Sequence, residues 1–382
     1  VKVLISPDSY KGSLSALEAA KAMASGFKRC NESKETILVP MADGGEGTTL
    51  ALVEATGGTM HSVSVTGPLG EPIVAQWGKL GDGTTGVVEV AQASGLTLVP
   101  ADKRNPLVTT SYGTGELIKA ALDQGCTKLI LGIGGSATND GAMGLVAALG
   151  VKFLDGRGNE LTGCGGQLHK IARIDTSGLD SRLEKVEVNV ACDVTNPLCG
   201  EEGAASIYGP QKGATPEMVR ELDQGLFHFA QLLKEQLQKE VAEVPGAGAA
   251  GGIGAGLLAF LDAQLTPGVD LIIDATGMEQ LAEQVDLVIT GEGKTDGQTA
   301  RGKAPAGVAK LAKKYGKPVI CISGSADLNC EELHQIGVDA IFSTVNQPME
   351  LKVAMDQGAQ LVENTAYQVA RLWQAGLAYK DK

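Results

Sequence analysis

Basic residues are in short supply. Lys and Arg together number 32 against 45 Asp and Glu in 382 residues, a net charge of −13. Nucleic acids and anionic lipid surfaces are normally met by basic patches, so the shortage argues against both as partners and leaves a small molecule as the expected ligand. Cysteine cannot provide a scaffold either. The seven cysteines, at 30, 126, 164, 192, 199, 321 and 330, form no Cys-x-x-Cys pair and leave one over if paired. They read as small buried apolar residues of a protein kept in a reducing compartment. Only four histidines occur, at 61, 169, 228 and 334, far apart and outside the motifs described below, which argues against a His-based or zinc site. No run of 18 or more apolar residues is present, so no membrane-spanning helix is expected. The chain enters its first strand at Val1 to Ile5 without the hydrophobic segment of a signal peptide, and a cytoplasmic protein is the expectation. Internal repeats are not visible.

What is abundant is glycine: 52 residues, near twice the usual ~7%, clustered at strand ends instead of recurring at a fixed period. Hydrophobic residues make up 43%, ample for the cores of two domains or one large one. Strand and helix patterns alternate at both ends of the chain. Val1 to Ser6 reads as a strand. A helix follows, with a Ser15/Glu18 capping box and Leu14, Leu17, Ala20, Ala24 and Phe27 on one face. Ile37 to Pro40 is a second strand and Thr48 to Ala55 a second helix. Asp286 to Thr290, Pro318 to Ser323 and Ala340 to Thr344 are strands, with helices at Ala304 to Tyr315 and about Ala354 to Leu377. Between about His61 and Val90 the segments are short, alternating and separated by Gly-Pro-Leu-Gly and Gly-Asp-Gly, which are antiparallel hairpin signals. Further on come strands Leu129 to Leu131 and Val186 to Ala191, a polar helix over about 216–242 and a Gly/Ala run at 245–256. The expectation is an α/β protein: a flavodoxin-like parallel-sheet domain made from both chain ends, 1–58 plus 275–382, with an α/β domain containing antiparallel hairpins inserted at 59–274. Its active site is expected in the cleft between the domains.

Four segments follow strands and concentrate polar or acidic residues with glycine: Ser-Pro-Asp-Ser-Tyr-Lys (6–11), Met-Ala-Asp-Gly-Gly-Glu-Gly (41–47), Gly-Ile-Gly-Gly-Ser-Ala-Thr-Asn-Asp-Gly (132–141) and Gly-Glu-Gly-Lys-Thr-Asp-Gly-Gln-Thr (291–299). Ligands of open α/β sheets bind at the carboxyl ends of strands, and backbone N–H groups at a helix start suit phosphate. A nucleotide, a divalent cation and phosphoryl transfer are therefore the expected chemistry. Three short glycine patterns compete with that reading. Gly132, Gly134 and Ala137 imitate a dinucleotide fingerprint, with Asp155 where a ribose-binding acid would lie. Gly246, Gly248 and Gly251 do so inside a Gly/Ala run where chance matches are common. Gly297, Gly302 and Lys303 imitate a P-loop, but Ala304 replaces its Ser or Thr and residues 291–296 separate the pattern from the expected strand.

Together with Cys-Asp-Val-Thr-Asn-Pro-Leu (192–198), the four segments occur in an order that resembles the bacterial class I glycerate kinases across nearly the whole chain. The resemblance implies ATP- and Mg²⁺-dependent phosphorylation of (R)-glycerate, usually to 2-phosphoglycerate, in glyoxylate or sugar-diacid catabolism. The same two-domain arrangement is also implied. A 3-phosphoglycerate-forming kinase, an NAD-dependent dehydrogenase resting on the Gly132 loop and Asp155, and a non-catalytic binding protein are the alternatives.

Chemistry assigns candidate roles within these motifs. Asp193 suits a catalytic base or magnesium ligand, with an Asx turn before Pro197 as the structural alternative. Lys11 would neutralise phosphate or hold the glycerate carboxylate. Asp8, Ser9, Asp43 and Lys303 are candidate substrate contacts, with Glu46 among the glycines beside Asp43. Gly134, Gly135, Ser136, Thr138 and Asn139 are the expected phosphate cradle for ATP, with Asp140 capping or touching magnesium. Glu292 and Asp296 are the candidate Mg²⁺ ligands, since magnesium takes few carboxylates together with waters and phosphates. Thr110, Ser111, Gly113 and Thr114 offer a second anion site or a helix cap.

Overall fold

The structure, a computed structural model, describes residues 1–31, 35–42, 44–328 and 330–380. In chain order its strands are β1 (Lys2–Pro7), β2 (Glu35–Leu38), β3 (Thr59–Thr66), β4 (Pro72–Lys79), β5 (Thr85–Glu89), β6 (Lys128–Gly132), β7 (Lys152–Leu154), β8 (Arg173–Asp175), β9 (Glu187–Ala191), β10 (Gln264–Thr266), β11 (Leu287–Thr295), β12 (Val319–Ala326) and β13 (Ala340–Ser343). The chain divides into two compact units, Val1–Asp43 with Val269–Lys382, and Gly44–Gly268.

The first unit is built on a parallel sheet of order β13-β12-β11-β1-β2. Counted within the unit this is 2-1-3-4-5, the flavodoxin-like order, whose switch point lies between β1 and β11. Successive side chains leave opposite faces of a strand. Val3, Ile5, Leu287 and Ile289 join a core with Met23 and Phe27 from helix Ala16–Cys30 and with Val362, Val369 and Ala370 from helix Gly358–Lys380. Leu4 and Val288, equally buried, face the other way. The Ser15/Glu18 capping box forms as expected, a cap that stabilises a helix by ~1 kcal/mol. Gly26 lets the two helices approach, since a Cβ there would sit 2.3 Å from the carbonyl oxygen of Glu363.

β11 is longer than the sequence predicts. The glycines at 291 and 293 read as the start of a loop, yet the strand runs on to Thr295, pairing Glu292 with Ser323 and Thr295 with Ala326. Close backbone approach is the reason: a Cβ on Gly291 would lie 1.9 Å from the Ile322 carbonyl oxygen, and one on Gly324 would lie 2.4 Å from that of Gly293. Glycine in a strand marks such an approach as readily as a turn.

The second unit holds a mixed sheet of order β10-β9-β6-β5-β4-β3. β3, β4 and β5 form the expected antiparallel meander, while β5, β6, β9 and β10 run parallel. The sequence reading missed β10 and the β7/β8 hairpin, all strands of three residues. Trp77 and the ring trio Phe153, Phe229 and Phe260, with centroids 6.0 to 6.5 Å apart, fill the core. Residues 44–58, grouped by sequence with the first unit, pack in this one. A Cβ on Gly78 of β4 would meet Val53 and Thr49 of helix Thr48–Thr56. Val269, grouped by sequence with the insertion, packs instead in the first unit against Gly307. The long polar helix ends at Leu237, short of 242, where Gln238 turns left-handed at φ 59°.

The Gly/Ala run forms the buried helix Ala249–Leu261, interrupted by left-handed residues at 250–252. Gly251 has φ +74°, and a Cβ there would stand 2.0 Å from the Thr138 carbonyl oxygen. Its own carbonyl accepts from Gly141 N at 3.0 Å. These glycines serve backbone-to-backbone packing, which accounts for their imitation of a dinucleotide fingerprint.

Candidate active site

The carboxyl ends of β1 and β11, at the switch point of the first sheet, open on a cavity of about 450 Å³. Six residues singled out by sequence meet there: Asp8, Ser9, Lys11, Glu292, Asp296 and Lys303. The turn after β1 is pinned at three points. Asp8 N donates to Gly291 O at 2.8 Å, Ser9 N to an Asp8 carboxylate oxygen at 2.6 Å, and the Tyr10 hydroxyl to Ile322 O at 2.6 Å. Burial holds the Tyr10 hydroxyl well above its usual pKa, with Cys321 and Glu292 adding to the shift, so it acts as a fixed donor. Lys11 is exposed at the mouth of the cavity.

Glu292 is 5% exposed. Its Oε1 accepts from Thr299 Oγ1 at 2.6 Å and Thr295 Oγ1 at 3.1 Å, and its Oε2 lies 4.0 Å from Lys303 Nζ. Burial raises its pKa, opposed by Thr299, Lys303 and Thr295. Asp296 stands on the other side of Lys303, at 3.9 Å, and is held low chiefly by the N–H of Gln298, then by Lys303 and Lys294. Among the described residues no group of three or more acidic, His or Cys side chains could hold a metal alone. Two carboxylates flanking a cavity fit Mg²⁺ when phosphate and water complete the shell. The sequence reading missed Tyr10, Thr295, Thr299 and Lys294, and it missed the apolar wall of Val345, Leu351, Met355 and Val362. These apolar residues come from helices and loops far along the chain, where nothing in the sequence distinguishes them from core.

The structure also alters the P-loop argument. With β11 reaching Thr295, only Asp296 separates the strand from Gly297. The loop amides are nevertheless committed: Gln298 N donates to Asp296 Oδ1 and Thr299 N to Asp296 O. Asp296 thus folds the loop on itself in place of a phosphate.

At the carboxyl edge of the second sheet, Glu89, Gly132 and Ala191 end adjacent parallel strands in register. Glu89 is 1% exposed, and its oxygens accept from Gly47 N at 3.2 Å and Thr49 N at 2.6 Å. It therefore caps helix Thr48–Thr56, whose own Ncap, Gly47, has no side chain to do so. Burial raises the Glu89 pKa against those donors. A carboxylate inside the apolar run Gly-Val-Val-Glu-Val was the signal that sequence reading passed over, because a buried charge needs partners. Glu46 is exposed, and Asp43 lies outside the described residues. Asp193, just beyond β9, is exposed and accepts from Gly268 N at 2.9 Å. Its neighbour Asn196 is fixed by Tyr208 OH at 2.7 Å and by donation to Glu202 O at 2.8 Å.

The loop after β6 divides into two faces. Gly134 is half-buried and Gly135 exposed at φ +72°, whereas Ser136, Thr138, Asn139 and Asp140 are buried. The helix start expected to cradle phosphate, at Met143–Ala148, has its amides taken already. Ala142 N and Gly144 N donate to the Asp140 carboxylate, and Leu145 N donates to Ser111 Oγ. Asp140 also accepts from Ser111 N and Oγ, at 2.9 and 2.7 Å. Burial raises its pKa while these donors oppose the shift. Ser111 and Thr114, offered as a second anion site, are buried and spent on Asp140 and on Ser94 Oγ. Lys212, missed by sequence, reaches into the same loop. It stands in Gly-Pro-Gln-Lys-Gly, a lysine held between turn-forming residues. Asp155 is half-buried, and its carboxylate organises its own turn through Arg157 N and Asn159 N. That leaves the dinucleotide reading without its ribose ligand.

His61 stacks on Trp77, and His228 and His334 bond backbone carbonyls. The seven cysteines are free thiols. Among the described residues no helix is long and apolar enough to cross a membrane.

Comparison with known proteins gives concordant matches. A sequence model of the Glycerate kinase family matches residues 3–374. A glycerate kinase of Halalkalibacterium halodurans is 53% identical over 96% of this chain and 97% of its own length. A glycerate 2-kinase of Escherichia coli K12 is 54% identical over 90% of this chain and 91% of its own. The crystal structure of a protein assigned as glycerate kinase 2 from Salmonella typhimurium LT2 superposes with a TM-score of 0.92 at 49% identity, covering 99% of both chains.

Proposed function

The chain belongs to the glycerate kinase family, and on that premise we propose that it transfers the γ-phosphoryl group of ATP to (R)-glycerate, giving 2-phosphoglycerate. The observation that carries this reading is the cavity at the switch point of the first sheet, where lysines and carboxylates gather opposite an apolar wall. About 450 Å³ exceeds the needs of glycerate alone. A base against Leu351, Met355 and Val362, with phosphates toward Lys11 and Lys303, uses both halves of the lining.

Phosphoryl transfer asks a protein for alignment, charge neutralisation and a proton acceptor. Lys11 and Lys303 meet phosphate oxygens. Asp8 and Ser9 hold glycerate hydroxyls. Glu292 and Asp296 would hold Mg²⁺, which supplies charge neutralisation on the phosphates when bound. Asp193 takes the proton of the attacking hydroxyl. In the loop after β6, Gly134, Gly135, Ser136, Thr138 and Asn139 cradle the phosphates of ATP, with Gly134 and Gly135 offering backbone at the surface.

The test is 31P NMR of the protein with MgATP and (R)-glycerate. A 2-phosphoglycerate resonance supports the proposal, and a 3-phosphoglycerate resonance keeps the kinase but overturns the regiochemistry. Absence of glycerate-dependent ATP loss in folded protein refutes the activity.

A further inference from the structure

Lys212 ends the single turn Pro210–Lys212 of the second unit and is 2% exposed. Its Nζ donates to Ser136 Oγ at 2.9 Å and to Thr138 O at 2.6 Å. An ammonium has three donors, and among the described residues Lys212 makes no ion pair. A buried charge without a partner is costly. Asp140, the acid whose charge it feels, is already committed to Ser111, Ala142 and Gly144.

The surrounding polar atoms are unsatisfied as well. Asn139 is 0% exposed, and neither its Oδ1 nor its Nδ2 has a partner; the same holds for Thr138 Oγ1. Arg104 adds a buried Nε without a partner, and its backbone lies against Gly213, the neighbour of Lys212. Folded proteins leave few such groups. Here they fall on consecutive or adjoining residues around one uncompensated cation.

We infer that Lys212 and Asn139 form an oxyanion-binding site in the second unit, which takes a carboxylate or a phosphoryl group. Which of the two it takes rests on the kinase reading, whose substrates carry one of each. The bound oxyanion supplies Lys212 with its counter-ion and its third acceptor, and gives the Asn139 amide a partner. Burial draws the Lys212 pKa down to about 7 against the opposing pull of Asp140. With Asp140 as the charged group that acts on it, Lys212 loses its charge as pH rises past that value, and oxyanion affinity falls with it.

Calorimetric titration of the intact protein with pyrophosphate, and separately with (R)-glycerate, tests the assignment. Lys212→Met keeps the length of the side chain and removes the charge. It is expected to weaken one of the two anions about tenfold or more. Loss confined to pyrophosphate identifies a phosphoryl site, and loss confined to glycerate a carboxylate site. Affinities for both anions within about threefold of wild type, or no binding of either by wild type, overturn the inference. A merely structural lysine would not give wild-type affinity that declines above pH 7 and a flat profile in the variant. Should Lys212→Met fail to fold, Asn139→Asp places a carboxylate on the residue next to Thr138, whose carbonyl accepts from Lys212. It is expected to raise Tm while excluding the anion, and unchanged affinity there is equally fatal. Lys212-dependent pyrophosphate binding in a protein that makes no phosphoglycerate would refute the kinase reading and leave this site standing.

Discussion

At the carboxyl edge of the first sheet, Lys303 stands 4.0 Å from Glu292 and 3.9 Å from Asp296, is 39% exposed and borders an open cavity. At the corresponding edge of the second sheet, Asp140 is sealed from solvent and tied to donors at 2.7 to 3.3 Å, and Lys212 is sealed beside it. Both edges carry carboxylates, a lysine, hydroxyls and glycines. The difference lies in spacing and solvent. Charges about 4 Å apart near water attract weakly and re-pair with a ligand at little cost. A buried carboxylate holding four donors cannot release them without leaving buried N–H groups unsatisfied. The first edge is therefore disposed to exchange partners, and the second to keep Asp140 fixed.

Substitution can break that contrast. The largest expected effect is on catalysis: Asp193→Asn should lower kcat by about 10²- to 10⁴-fold with an unchanged circular dichroism spectrum, and near-normal turnover would remove Asp193 from the chemistry. Next come two matched acids. Asp140→Ala should cost about 3 kcal/mol or more in urea unfolding, because buried donors lose their acceptor. Glu292→Gln should leave unfolding within about 1 kcal/mol yet raise the Mg²⁺ concentration needed for ADP binding about tenfold. Equal stability losses for the two would erase the distinction between the edges.

Gly251→Val, which combines φ +74° with the approach to Thr138 O, should destabilise by about 2 to 3 kcal/mol, read as a drop in Tm. A further test concerns pH. The folded pKa of Lys212, about 7, lies below its ordinary 10.5, so between those values the unfolded chain binds more protons. Stability should rise with pH across that window and be lost as pH falls through 7. Lys212→Met should flatten the slope in ligand-free protein.

Much of this arrangement was legible in the sequence. Alternation of strands and helices gave the α/β class, the paired hydrophobic pattern of the two chain ends gave the flavodoxin-like sheet, and six of the predicted site residues line one cavity. The failures share a cause. Gly291 and Gly293 read as turn residues because local sequence does not show the strand that presses on them. The helix start at 143 read as an open phosphate cradle, with Asp140 as its cap or a magnesium contact; the cap forms and takes the amides that phosphate would have used. Glu89 and Lys212 were passed over because each lies in a segment with no functional pattern of its own.

Strand and helix periodicity, the capping box and the glycine-rich turns depend on residues a few positions apart, so the sequence by itself determined them. Which polar groups are sealed, and which remain free to meet a ligand, only the tertiary structure decided. Lys212 meets Ser136 across 76 residues of chain and Glu89 meets Thr49 across 40. Desolvation and pairing of a charge depend on what folding brings around it, and those neighbours are distant in sequence.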